Sequence, residues 1–128
     1  MVSTIISSLI AFWLLILSLR IIALRGTKFL SFLAFNNFGE QALLRSIKAQ
    51  SNLIEYAPIF LILFFIAEYN GAHPHFLYLI ATLFLLARIM HGIAFGFLKY
   101  NPICRVGGTF LTFFCILVIG IHNLVEIL

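Results

Sequence analysis

Apolar residues fall along the chain in four long blocks, Val2 to Leu24, Ser46 to Glu68, Phe76 to Leu98 and Val106 to Val125, separated by stretches where glycine, proline or charge collects. Each block is close to the roughly 20 residues that a helix rising about 1.5 Å per residue needs to cross a hydrocarbon core about 30 Å thick. The blocks are continuous and lack the period-two alternation of membrane β-strands, and a helix satisfies its own backbone hydrogen bonds inside lipid. The pattern predicts an all-α, integral membrane four-helix bundle of antiparallel, up-down topology, forming a single domain over residues 1–128.

Composition strengthens this reading: 63% of the 128 residues are hydrophobic and 9% charged, far from the balance of a soluble domain. The first block is expected to stay as a helix, since no basic residue precedes it and no small-residue cleavage pattern follows. Arg25, Lys28 and Arg45 lie in or beside the first connection and Lys99 and Arg105 in the third, whereas the second, "YNGAHPHF", has no Lys or Arg. The positive-inside rule then puts the first and third connections in the cytoplasm and both termini on the opposite side. The net charge of +4 thus reflects topology, and no basic stripe with interleaved aromatics remains outside the membrane to bind nucleic acid. The sequence shows no retention signal, so a bacterial inner membrane is the expected location. The two cysteines, Cys104 in the third connection and Cys115 in the last block, are too far apart along a helix to form a disulfide.

The connections carry further signals. In "RGTKFLSFLAFNNFGEQALL", Gly26, Asn36, Asn37 and Gly39 mark turns or caps, and Glu40 suits a helix start, so the second helix is expected to begin before the membrane. Phe29, Phe32, Phe35 and Phe38 recur every three residues, which lays an apolar face either on the bilayer interface or beneath the bundle. Asn70, Gly71 and Pro74 break the second helix from the third. His73 and His75 there lack a third ligand, so an exposed loop is expected and no metal site. Pro102 is read as the breaker before the fourth helix, with Gly107 and Gly108 allowing close backbone approach. His122 and Glu126, four apart, are placed to pair locally.

Polar residues inside the blocks carry the candidate chemistry. Arg45, Lys48, Asn52 and Glu55 are spaced by three, four and three residues and occupy one helix face within roughly 80°. Arg88, His91 and Phe95 share a face in the same way. Such residues in a membrane helix must face protein or a water-filled cavity. One reading is a buried Arg88–Glu55 ion pair between helices. The other is a cytoplasm-facing cavity, because Arg25, Lys48, Arg88, Arg105 and His91 outnumber the single carboxylate Glu55 and suit a ligand with carboxylates. Charge alone also allows anionic lipid headgroups.

The segment "KAQSNLIEYAP", Lys48 to Pro58, resembles the second-helix pattern R-A-x-x-N-x-x-E-Y-x-P of the MAPEG family, membrane-associated proteins in eicosanoid and glutathione metabolism, at every position but the first. The resemblance extends over nearly the whole chain. It implies a homotrimer binding glutathione as co-substrate between protomers near the cytoplasmic side, with a lipophilic small molecule or lipid as second ligand. By position it assigns glutathione contacts to Arg25, Lys48, Asn52, Glu55, Tyr56, Arg88 and His91, the last two within "RIMHGIAF", and thiolate stabilisation to Arg105. The implied activity is that of a glutathione transferase or peroxidase acting on lipophilic electrophiles, with a non-catalytic ligand-binding protein as the alternative. Two departures stand out: Lys48 replaces a planar guanidinium by a point charge, and Phe95 lacks the hydroxyl of the usual tyrosine.

Overall fold

The computed structural model describes residues 1–35, 38–99, 101–126 and 128. Among them run α1 (Val2–Leu24), a short 3-10 helix η1 (Lys28–Ala34), α2 (Glu40–Tyr69), α3 (Pro74–Gly96) and α4 (Pro102–Val125). The four α-helices are each long and apolar enough to cross a membrane, and η1 lies outside them. The protein is therefore an all-helical, multi-pass membrane protein. Asn36 and Asn37, read as turn signals, lie outside the described residues.

Local chemistry sets the helix limits. The α2 helix starts at Glu40, with the carboxylate in its first turn, and runs on through Pro58 to Tyr69. It stops because Gly71 adopts φ of 86°, which a residue with a Cβ rarely takes up. The N–H of Gly71 then donates to the carbonyl of Glu68, and that of Ala72 to Ala67, the two bonds of a Schellman cap. The α3 helix opens with Pro74 at its first position, so His75 belongs to the helix and not to a free loop. The same chemistry recurs in α4: Asn101 accepts from the N–H of Cys104 at 3.0 Å, and Pro102 fills the first turn, where its missing N–H is harmless. Pro102 thus begins the fourth helix ahead of Val106, and Cys104 and Arg105 stand in its first turn.

Packing joins α1 to α2 and α3, and α4 to α2 and α3, with η1 against α1. At one end the Glu68 carboxylate, on the last turn of α2, accepts from the backbone N–H groups of Val2 and Ser3, capping α1 from another helix. Midway, Phe60 and Phe84 stack with centroids 3.7 Å apart, fully buried beside Phe64 and Ile119. Small residues bring the backbones together. A Cβ built on Gly108 would stand 2.8 Å from the Ala87 carbonyl oxygen and 3.0 Å from the His91 nitrogen, so α4 reaches α3 only because that position is glycine. His122 does not pair with Glu126; its ring packs on Phe76 with centroids 4.6 Å apart.

Candidate functional site

The polar face of α2 looks onto the last turns of α3 and the first turn of α4, where two cavities adjoin. One, of about 430 Å³, is lined by Arg45, Lys48, Lys99, Asn101 and Arg105 together with Phe95 and Pro102. The other, of about 300 Å³, is lined by Lys48, Ser51, Asn52, Glu55, His91 and Phe95. Lys48 and Phe95 belong to both and form the wall between them. Four cationic side chains and one carboxylate, Glu55, face this space, an imbalance that suits an anionic ligand.

Arg105 and His91 are each held by a ring contact. Helical spacing brings Lys48, Asn52 and Glu55 to one side of α2, and the register of α3 brings His91 and Phe95 opposite. The Arg105 guanidinium carbon lies 5.0 Å from the centroid of the Phe95 ring, a cation–π contact that fixes its direction. The His91 ring packs on the same phenylalanine with centroids 4.8 Å apart. Phe95, which lacks a hydroxyl, therefore serves as a platform for both a cation and an imidazole.

Arg88 sits behind this wall, 2% exposed. Its Nη1 donates to Oδ1 of Asn52 at 2.8 Å, and its guanidinium carbon is 5.9 Å from the Tyr56 ring centroid. The Arg88–Glu55 ion pair considered from the sequence is not made: Arg88 turns to Asn52, and Glu55 is left exposed at the second cavity. The Nε and Nη2 atoms of Arg88 are buried without a hydrogen-bond partner. Tyr56 is packed between Arg88 and Phe113 and lines neither cavity. Arg25 caps the exposed end of α1 and also lines neither.

Two arginines outside the expected set shape the site. Arg45 lines the larger cavity while its guanidinium donates to the carbonyls of Ala94, Leu98 and Lys99 at the end of α3. Arg20, fully buried in α1, donates to the carbonyl of Gly96 at 3.0 Å and to Leu33 and Phe35 of the first connection, and its guanidinium also lies over the Phe35 and Phe97 rings. Ser46 donates to Gly96 as well, at 3.1 Å. Arg20 was missed in the sequence, although a lone cation in an apolar helix is a signal that demands buried partners; nothing in its spacing said which.

Four apolar helices around a basic pair of cavities at one end define a multi-pass membrane protein with a polar site in its bundle. A model of the MAPEG family matches residues 3–125, and the chain belongs to that family. No curated protein and no solved structure matches it. Family membership supports a glutathione-related transferase or related membrane function in coarse terms.

Proposed function

We propose that the protein is a membrane-bound glutathione-dependent transferase or peroxidase acting on lipophilic electrophiles. The observation that carries the reading is the pair of adjoining cavities with Arg105 oriented over Phe95 at their junction. Glutathione has two carboxylates, an ammonium and a thiol. Lys48 and Lys99 supply point charges for the carboxylates, while Glu55 and Asn52 offer acceptors to the ammonium and amide groups. Arg88 supports Asn52 from behind, with the Tyr56 ring against its guanidinium, and His91 closes the inner wall. The thiol, with an ordinary pKa near 8.5, is mostly protonated at neutral pH, and a guanidinium beside it favours the thiolate, which attacks the electrophilic carbon as the leaving group departs.

In this reading the subunits form a homotrimer of antiparallel, up-down bundles in a bacterial inner membrane, with the first and third connections cytoplasmic. Arg25, which lines neither cavity in its own chain, then contributes to the site of a neighbouring subunit. The lipophilic substrate enters from the bilayer. Titration of the purified protein with glutathione, following thiolate absorbance in the ultraviolet, tests the proposal. A thiolate signal that Arg105→Ala removes, with conjugation of an aryl halide falling alongside it, is the expected result. Glutathione binding with neither thiolate nor turnover would reject catalysis.

A second reading, a non-catalytic protein binding lipophilic ligands, is favoured by one observation. An almost wholly apolar groove of about 560 Å³ runs between α2 and α4, lined by Leu63, Ile66, Ile116, Leu117 and Leu124 among others.

A further inference from the structure

The 3-10 helix η1 exposes a pattern that the four spans do not account for. A 3-10 helix has three residues per turn, so side chains three apart eclipse. In Lys28–Ala34 this sorts the sequence into stripes: Phe29 and Phe32 on one, Leu30 and Leu33 on a second, Lys28, Ser31 and Ala34 on a third. Leu30 and Leu33 are half-buried and Ala34 is buried, whereas Phe29 and Phe32 are 88% and 66% exposed. The spacing of Phe29 and Phe32 thus matches the 3-10 period, which eclipses two rings that an α-helix would set roughly 60° apart. Phe38 beyond the helix is 70% exposed. Phe35, the ring between them, is instead turned onto the Arg20 guanidinium, at 5.6 Å.

One cation accompanies these rings on η1 itself. Lys28 is exposed, and the acidic residue nearest along the chain is Glu40, at the start of α2. The surface is also fastened in place: Arg20 donates both to the Leu33 and Phe35 carbonyls and to Gly96 at the end of α3. The segment is therefore held at the same end of the bundle as the basic cavities, just where a span ends and headgroups begin.

We infer that η1 and its flanks form an interfacial anchor for anionic phospholipid: Phe29, Phe32 and Phe38 enter the acyl boundary while Lys28 engages a headgroup phosphate. Aromatic and basic residues on one short outward-facing segment are the pair of interactions by which a surface element binds a charged leaflet. This surface is separate from the two cavities and does not depend on what they bind.

Hydrogen–deuterium exchange of the full-length protein in nanodiscs tests the anchor. Discs of phosphatidylcholine alone are compared with discs containing phosphatidylglycerol, and amide exchange is read across residues 29–33. Slower exchange in the charged discs is expected, by about fivefold for the one basic residue engaged. Lys28→Gln should exchange at the same rate in both discs. Phe29→Ser/Phe32→Ser should exchange fast in both, with unchanged thermal unfolding confirming that each variant is folded. Equal exchange of the unmodified protein in the two discs, or a lipid effect that survives Lys28→Gln, overturns the proposal. So does protection by inorganic phosphate in neutral discs, which would make the site one for a free anion. Protection that vanishes only when the oligomer dissociates would assign the face to a second copy of the chain and equally overturn it.

Discussion

Arg88 donates through Nη1 to the side-chain oxygen of Asn52, 2.8 Å away, and this bond joins α3 to α2 behind the cavity wall. Two further nitrogens of the same guanidinium are buried without partners, so the Asn52 contact is the principal compensation for a charge withdrawn from water. Asn52→Leu should destabilise the protein by about 2–3 kcal/mol, the order expected when a hydrogen bond to a buried charged group is removed. Asn52→Asp, which offers Arg88 a carboxylate, should recover most of the loss. Thermal unfolding of the two variants in detergent measures both.

At Gly108 the constraint is steric. Because a Cβ there meets backbone atoms of Ala87 and His91, which cannot rotate away, Gly108→Ala must push α4 off α3. A cost of about 1–3 kcal/mol is expected, as for overpacking elsewhere. Gly120, which has nothing within 4 Å of a built Cβ, provides the control: Gly120→Ala should be neutral or slightly stabilising, since alanine is the better helix former. Parallel melting curves compare the two substitutions.

Arg105 is positioned by stacking, so charge and direction are separable. Arg105→Ala should lower kcat for thiol conjugation by about two to three orders of magnitude, the scale of losing one preorganised electrostatic contact. Phe95→Leu keeps the cation but removes the ring beneath it, and should cost a smaller factor in kcat with little change in stability. Steady-state kinetics with an aryl halide, at fixed and at varied glutathione, distinguish the two.

Lys48 stands where both cavities meet. Lys48→Arg should tighten glutathione binding by up to about tenfold, or about 1.4 kcal/mol, because a planar fork can hold a carboxylate with two parallel bonds. Ligand-induced thermal stabilisation gives the Kd. An unchanged value would mean that this position does not touch the ligand.

The spans were legible because hydrocarbon imposes a length on them. The shared face of Lys48, Asn52 and Glu55 was legible because helical spacing is fixed by geometry. What was not legible depended on partners. The sequence could not say whether Arg88 would meet Glu55 or Asn52, because that depends on how far α3 slides along α2. Pro102 looked like an interruption, since proline at the first turn of a helix and proline in a loop read alike until Asn101 is seen capping the turn. Arg45 was visible as part of the stripe, but its attachment to the end of α3 comes from a turn brought near only by folding.

That attachment decides the sign of the field at the mouth of the site. A helix ends in carbonyls and carries partial negative charge there, equivalent to about half an electron. The end of α3 opens beside the larger cavity, and left bare it would repel any anion approaching. Instead the carbonyls of Ala94, Gly96, Leu98 and Lys99 are covered by Arg45, Arg20 and the Ser46 hydroxyl. Two full positive charges overwrite that dipole. An entrance that backbone geometry alone would make repulsive to anions is thereby turned into an attractive one, before Lys48 or Arg105 contributes anything.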